Sequence, residues 1–257
     1  MATLIIAEGG HGPRTPGKRT PLFDDGTFIH EHEFNYPTSC KFLELCKNVD
    51  FEVLNVSAEN YDVSLRTRTD RANQEFEAFM AQNPSGICLF VSFHFNARNG
   101  KFDSKKGGID VHYYPGAKDS KMFAQYVQNE LIKNTKMYNR GIKANDFHVL
   151  RKTSMPAILC ECGFMDKLEE AKLMLDENYQ SEVATETFNG VLSYLKEEHG
   201  VIVQGKKKSY QEEIREATTW AKKNNISDCA RLKENCTREE MIVMLHRLDK
   251  LIGGKLI

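Results

Sequence analysis

The sequence predicts an α/β fold: a layered domain whose mostly parallel central sheet is flanked by helices, plus a small all-α C-terminal domain. Three observations lead to this prediction. Short apolar runs alternate with segments of helical periodicity from residue 3 to residue 197. A stretch with glycines and a lysine triplet then interrupts the pattern. Finally, Lys and Arg number 23 against 28 Asp and Glu over residues 1–204, a balance of −5, and 12 against 8 over residues 205–257, a balance of +4.

The predicted strands are short apolar runs bounded by glycine, proline or polar residues. The run "TLIIAEG" is the first of them, and "ICLFVS" has the continuous apolar character of a strand that is buried on both faces. In chain order, strands are expected at residues 3–9, 51–57, 87–92, 108–114, 147–151 and 157–161.

The helices predicted between these strands carry apolar residues at helical spacing. The first follows Glu31 through "HEFNYPTSCKFLELCKNV", where Pro37 is tolerable only because it lies near the start of the helix. Further helices are expected over residues 62–82, 117–135, 166–176 and 179–197.

Three segments follow from this pattern: a main domain over residues 1–198, a linker over 199–209 and a small helical domain over 210–257. Two helices are expected in the last segment, the second of which begins with the capping-box sequence "TREE". About fifty residues bury little core by themselves, so these helices are expected to pack on a partner.

Composition excludes several classes of protein. A formal net charge of −1 provides no basic footprint, so neither nucleic acid nor membrane is expected as a partner. The N-terminus lacks the basic flank and long apolar region of a signal peptide, which predicts synthesis in the cytoplasm. The 7 cysteines are odd in number and form no C-x-x-C pair, a pattern that favours reduced thiols over disulfides or a cysteine-rich zinc site.

Three candidate metal ligands lie at or near the ends of predicted elements. His11 follows the first strand in "EGGHGP", Glu31 opens the first helix, and His94 follows "ICLFVS". The carboxyl ends of strands in an open α/β sheet are where ligands gather. Two imidazoles and one carboxylate leave a fourth tetrahedral position open, which is typical of a catalytic rather than a structural zinc.

Glu161 is the candidate catalytic residue. It ends the strand "PAILCE" and is expected to point into the same crevice as the ligands. A free carboxylate beside a metal site can act first as general base and then as general acid. Cys160 and Cys162 lie on the other face of that strand, where packing is the expected role. His112 and His148 are expected to face solvent or the substrate groove.

From residue 3 to about residue 197 the sequence resembles the zinc-dependent N-acetylmuramoyl-L-alanine amidases (amidase type 3) of bacterial and phage cell-wall hydrolysis. The motifs that carry this resemblance are "GGHG" at 9–12, "EHEFN" at 31–35, "SLRTRTDRAN" at 64–73, "SFHFNA" at 92–97, "GGIDVHYY" at 107–114 and "PAILCECGF" at 156–164. The resemblance implies Zn²⁺ bound by His11, Glu31 and His94, catalysis by Glu161, and cleavage of the amide between N-acetylmuramic acid and L-alanine in peptidoglycan.

The resemblance also decides between two neighbouring glutamates. The family's ligand glutamate lies four residues before an asparagine, so Asn35 selects Glu31 over Glu33. His30 and His32 are then expected to be peripheral. One departure is Glu8, which stands where the family usually has an aspartate. Glu8 is expected to contact the ligands rather than the metal, at a slightly different distance from the aspartate of the family.

The tail resembles part of the S-layer-homology type of wall-anchoring module, with the landmarks "TWA", "ISD" and "TREE". This similarity implies that residues 210–257 bind the cell wall. The positive balance of residues 205–257 favours anionic wall polymers as the ligand, and helices with little core of their own could instead join copies of the chain into a homo-oligomer. The resemblance fits an amidase encoded by a phage or by a bacterium. The N-terminus without signal-peptide features and the wall-anchoring tail together favour a phage endolysin, which is made in the host cytoplasm and lyses the host by acting at the cell wall.

Other functions remain compatible with the residues. A zinc peptidase that cuts within the stem peptide would share the same chemistry. A catalytically inactive wall-binding protein would keep the fold, although retention of all four polar residues argues against it. A cytoplasmic amidase that acts on recycled wall fragments would leave the tail without a purpose.

Overall fold

The computed structural model describes residues 1–102 and 107–203, together with the isolated positions 243, 244 and 247. The chain divides into two units, Met1–Gly205 and Lys206–Ile257. All the elements described below belong to the first unit. The helical domain expected over residues 210–257, and most of the expected linker, lie outside the described residues and stay predictions.

The sheet of the first unit has six strands in the order β2-β1-β3-β6-β4-β5. Neighbouring strands run parallel except β4 and β6, which are antiparallel. The predicted mostly parallel sheet is therefore confirmed. The strands are β1 (Thr3–Gly9), β2 (Glu52–Asn55), β3 (Ile87–Asn96), β4 (Ile109–Tyr113), β5 (Asn139–Ala144) and β6 (Ala157–Phe164).

Helices cover both faces of this sheet. The larger apolar cluster joins one face of the sheet to α1, α3 and α6, and the smaller cluster joins the other face to α2 and α4. The helices are α1 (His32–Lys47), α2 (Leu65–Gln82), α3 (Lys118–Asn134), α4 (His148–Lys152), α5 (Leu168–Ala171) and α6 (Glu177–His199), with a 3-10 helix at Lys172–Leu175. No helix among the described residues has both the length and the apolar character needed to cross a membrane.

Two of the predicted elements differ in the structure, and one strand was not predicted. The run "FHVLR" forms helix α4 rather than a strand, because Val149 and Leu150 pack side by side into the smaller cluster as adjacent helical residues. The strand β5 was not expected, since "NRGIKA" is polar and only half-buried at the edge of the sheet. The helix expected over residues 166–176 is instead the short α5 followed by a 3-10 helix.

Strand alternation separates packing residues from polar residues on β3 and β6. Phe93 and Phe95 belong to the larger cluster, as do Cys160 and Cys162, which confirms their packing role. His94 and Glu161 lie one residue out of phase and therefore face the side of the sheet covered by α2 and α4. Both side chains also lie near the carboxyl ends of their strands, two residues before the end of β3 and three before the end of β6.

Candidate metal centre and active site

The three predicted ligands lie together at the carboxyl ends of β1 and β3. His11 Nε2 is 3.3 Å from Glu31 Oε2, and His94 Nδ1 is 2.9 Å from Glu31 Oε1. One donor atom from each of the three residues can be chosen so that all lie within 4.8 Å of one another, close enough to share one metal ion. Each imidazole is half-buried and the carboxylate is 2% exposed.

The backbone that delivers His11 is tightly constrained. His11 has φ 63°, in the left-handed region that costs a residue with a side chain about 1 kcal/mol or more. Gly10, just before it, lies under the His94 ring: a Cβ atom there would be 2.1 Å from His94 Cε1. Because Gly10 has no side chain, the loop can pass beneath the His94 ring and place His11 in the cluster.

Glu31 is oriented by neighbours that hold one of its oxygens. Asn35 Nδ2 donates to Oε1 at 3.1 Å and also to the Gly10 carbonyl at 3.0 Å, and the Phe95 amide donates to Oε1 at 3.0 Å. Burial opposes the charge of Glu31, but hydrogen bonds from His11 and His94 outweigh it and lower the pKa of the carboxyl well below its ordinary value. The carboxylate is therefore ionised, as a ligand must be.

The residues that flank Glu31 lie in other positions. Glu33 turns back to accept a hydrogen bond from the His30 amide at 2.7 Å, and the His32 ring stacks on Tyr36 with centroids 5.3 Å apart. None of these three joins the cluster that could hold a metal. The spatial arrangement thus agrees with the choice of Glu31 over Glu33.

Glu161 is the cross-strand neighbour of His94 in the β3–β6 register. Its Oε2 atom is buried and has no hydrogen-bond partner within the described part of the chain. Burial, together with the negative charges of Glu31 and Asp110, raises the pKa of Glu161 to about 8. A buried carboxyl with one oxygen unused is suited to exchange a proton with a small molecule placed between it and the ligands.

Glu8 reaches the ligands only indirectly. Its carboxylate accepts hydrogen bonds from Ser92 Oγ at 2.7 Å and from Arg68 Nη1 at 3.1 Å. Arg68 is 1% exposed and also donates to the carbonyl oxygens of Gly9 and His11, both at 2.9 Å. Sequence reasoning noted the motif that contains Arg68 but not its pairing with Glu8, 60 residues away.

Asp110 was also missed, although a charged residue inside the apolar run "GIDVHYY" was a signal. It pairs with Glu161 across β4 and β6 and is fully buried. Arg140 Nε binds it at 3.0 Å, and Lys143 binds the same oxygen. Burial opposes its charge, but hydrogen bonds from His112, Lys143 and Arg140 lower the pKa of Asp110 to about 2.

The expectation for His112 was wrong. The ring is 4% exposed and lies between Asp110, 3.4 Å away, and Asn145. The ring is therefore buried beside the Asp110 carboxylate and faces neither solvent nor an open groove. His148 is half-buried at the start of α4, with Nε2 3.5 Å from Thr69 Oγ1.

The donor set fits zinc. Two imidazole nitrogens and one carboxylate oxygen are ligands that zinc commonly takes, with a fourth position left for water or substrate. Burial lowers the pKa of His11, which favours the neutral imidazole that a metal requires. The unpaired oxygen of Glu161 is a ready acceptor for a hydrogen bond from a molecule at that fourth position.

The chain is similar in sequence to several known proteins. N-acetylmuramoyl-L-alanine amidase CwlM of Bacillus licheniformis is 30% identical over 190 residues, which cover 73% of this chain and 66% of that protein. The endolysin of Bacillus phage SPP1 is 27% identical over 203 residues, covering 76% of this chain and 67% of the endolysin. The alignment with a cell wall amidase of Bacillus anthracis, 28% identical, covers 35% of that protein. The chain thus spans between a third and two thirds of the length of these relatives.

Among solved structures, the N-acetylmuramoyl-L-alanine amidase from Clostridium difficile 630 superposes with a TM-score of 0.63 and 34% sequence identity. The alignment covers 76% of this chain and 98% of that one. The model of the Amidase_3 family, described as N-acetylmuramoyl-L-alanine amidase, matches residues 5–193, a range that contains the three candidate ligands and Glu161. On this match, the chain belongs to the Amidase_3 family of N-acetylmuramoyl-L-alanine amidases.

Proposed function

We propose that this chain is a peptidoglycan hydrolase that cleaves the amide between N-acetylmuramic acid and L-alanine. The observation that carries the proposal is the unpaired, buried oxygen of Glu161 beside the cluster of His11, Glu31 and His94. Membership of the Amidase_3 family supports the choice of substrate.

In this proposal His11, Glu31 and His94 hold one Zn²⁺. The bound ion would supply Lewis acidity, which activates water and polarises the scissile carbonyl. The chain itself fixes the ligands: Asn35 and the Phe95 amide orient Glu31, and Arg68 holds the backbone carbonyl of His11. Such preorganisation spares the reaction the cost of arranging these groups.

Glu161 is proposed to move the proton. Its free Oε2 accepts a proton from the attacking water, and the protonated carboxyl then donates it to the departing amine of L-alanine. A pKa raised by burial suits both halves of this cycle, because the group can be charged or neutral near neutral pH.

The setting of the activity is also a proposal. We infer that the enzyme acts at the bacterial cell wall as a phage endolysin, for which the similarity to the SPP1 endolysin is one support. Residues 210–257 are proposed to bind anionic wall polymers or to join copies of the chain. The support for polymer binding is the balance of +4 over residues 205–257, to which the lysine triplet 206–208 contributes most.

The test is digestion of purified sacculi followed by mass spectrometry of the released fragments. We expect free L-alanine amino termini with the wild-type protein. For Glu161→Gln we expect retained zinc and a turnover lower by roughly two to four orders of magnitude, the usual range for a general acid–base group. The matched control is Glu33→Gln, a nearby glutamate outside the cluster, which should keep near-wild-type turnover.

Three results would contradict the proposal. New termini within the stem peptide, without free L-alanine, would indicate a peptidase. The absence of any product from a zinc-loaded protein would indicate an inactive wall-binding protein. A Glu161→Gln variant with more than about a tenth of the wild-type rate would mean that another residue transfers the proton.

A further inference from the structure

A second feature of this unit is a cationic cavity of about 550 Å³. Its lining includes Arg98, Arg140, Lys143 and Lys167, together with Tyr138 and Asn139. Among the described residues that line it, none is acidic. A cavity with this lining favours an anionic ligand.

The cavity lies at the same edge of the sheet as the ligand cluster. Arg98 follows β3 and Lys167 follows β6, while Asn139 and Arg140 begin β5. The side chains of His94, Glu161 and Asp110 form one row across adjacent strands, and Arg140 and Lys143 extend that row by contacting Asp110. Neighbouring strands are about 4.8 Å apart and three spacings separate β3 from β5, so the cations of β5 lie about 10–15 Å from His94.

Buried carboxylates fix the walls of this cavity from behind. Asp110 binds Arg140 and Lys143. Asp166, fully buried, accepts hydrogen bonds from the amides of Arg98 and Asn99 at 2.6 and 2.8 Å and so holds the loop that carries the Arg98 side chain.

Glu170 supports the part of the cavity wall that contains Gly107 and Lys167. It accepts from the amides of Gly108 and Phe164 and pairs with Lys167 at 3.0 Å. A side chain at Gly107 would overlap this carboxylate, because a Cβ atom there would lie 1.8 Å from Glu170 Oε1. The cationic groups are therefore held in place by carboxylates that do not line the cavity.

Two arginines line the cavity and can contact a ligand there. The Arg140 guanidinium lies over the Phe164 ring, 4.6 Å from its centroid, so its plane is fixed. Within the described residues no ion pair involves Arg98. A planar guanidinium without a carboxylate partner is a preferred group for recognising a carboxylate.

We infer that this cavity binds a carboxylate of the stem peptide on the leaving-amine side of the scissile bond, an inference that rests on the proposed function. The N-acetylated glycan is uncharged once its lactyl carboxyl is engaged in the amide, whereas the peptide carries free carboxylates. An extended peptide spans about 3.3–3.6 Å per residue. The cavity would thus contact the peptide roughly three to four residues from the scissile amide.

The test compares two soluble muramoyl-peptides that differ only in whether the peptide carboxylates are free or amidated. Wild-type protein should show a KM about tenfold lower for the free carboxylate, the value of one charged hydrogen bond. Arg98→Gln and Lys143→Gln should each raise KM for this substrate about tenfold, with kcat little changed, and barely affect the amidated one. Lys121→Gln, an exposed change in the first turn of α3, is the matched control and should leave both KM values unchanged.

Separate measurements control for the folding of the variants and for the identity of the ligand that fills the cavity. Arg98→Gln changes an exposed residue and should melt within about 3 °C of wild type. Lys143→Gln removes one of the two cations on the buried Asp110 but leaves Arg140 there, so it should melt lower than Arg98→Gln and still be folded at the assay temperature. Calorimetric titration with the free acidic peptide measures binding without catalysis. Titration with poly(glycerol phosphate) tests a wall-polymer phosphate as the occupant instead.

The outcomes separate this inference from the proposed function. If the wild-type protein cleaves both substrates with equal KM, or if the variants raise both KM values alike, the carboxylate site is wrong. Variant-sensitive binding of poly(glycerol phosphate) without binding of the acidic peptide would also overturn it. If the wild-type protein cleaves neither substrate, the proposed activity fails. The calorimetric titration of the acidic peptide then decides whether the cavity binds a carboxylate at all.

Discussion

Replacing Arg68 with methionine should lower the free energy of unfolding by about 3–5 kcal/mol, because the change leaves a buried carboxylate without its cation. Arg68 is 1% exposed and Glu8 is fully buried. After the substitution, Glu8 keeps only the Ser92 hydroxyl among its described hydrogen bonds. The loss would be a large part of the roughly 5–15 kcal/mol that stabilises a typical domain.

The substitution should also weaken zinc binding. Arg68 donates to the carbonyl of His11, whose backbone has φ 63°. Without this hydrogen bond the loop can relax to a less strained conformation and carry the imidazole away from Glu31. Urea unfolding measures stability, and competition with a chromophoric chelator measures zinc affinity.

Two further variants make the reasoning testable. Arg66→Met, on the same helix, removes an 87% exposed arginine paired with Asp70 at 3.5 Å, and should cost no more than about 1 kcal/mol. Adding Glu8→Gln to Arg68→Met removes the unpaired charge and should restore part of the stability. The reasoning fails if Arg68→Met unfolds within about 1 kcal/mol of wild type, or if the double variant is no more stable than the single one.

Three more predictions concern the ligands, the buried acid of β4 and the tail. Glu31→Gln should lose zinc, as measured by metal analysis after dialysis, whereas Glu33→Gln should keep it; equal losses would contradict the choice of ligand. Because the pKa of Asp110 is lowered to about 2 from 3.8, its stabilisation, roughly 2 kcal/mol, should be complete above about pH 4 and lost as the pH falls through about 2. The difference in unfolding free energy between wild type and Asp110→Asn should therefore shrink below pH 4, and a constant difference would refute the assignment. Truncation after Lys208 should leave turnover on soluble muropeptides nearly unchanged but reduce sedimentation with intact walls. The wall binding of the full chain should weaken as added salt shortens screening to about 8 Å or less, and undiminished binding by the truncated protein would remove the anchoring role.

The sheet core, and the closeness of the candidate ligands to one another, were predictable from the sequence. Continuous apolar runs such as "ICLFVS" have one stable placement, the interior of a layered α/β domain. Because parallel strands end at one edge, His11 and His94, which lie at the ends of two such strands, were expected to meet. Glu31 precedes the first helix and was chosen over Glu33 through the family resemblance, and it does lie beside the two histidines.

The parts that could not be predicted depend on distant partners. The edge strand β5 is polar because one side of it faces no neighbour, so it lacks the apolar signal of an inner strand. The pairing of Arg68 with Glu8 joins positions 60 residues apart, and only the folded chain brings them into contact. His112 likewise reads as a surface residue until the charge of Asp110 is seen beside it.

The register of β3 and β6 has a consequence for engineering. His94 and Glu161 are neighbours in a hydrogen-bonded ladder, so their separation is set by the sheet and not by the loops around it. A shift of one residue in the register of either strand would turn its side chain to the opposite face of the sheet and remove the pair entirely. Conversely, the loops between β3 and β4 and between α3 and β5 can be exchanged without moving this pair. We expect chimeras at these two loops to change the lining of the cationic cavity, and with it the proposed recognition of the stem peptide, while His94 and Glu161 stay in place.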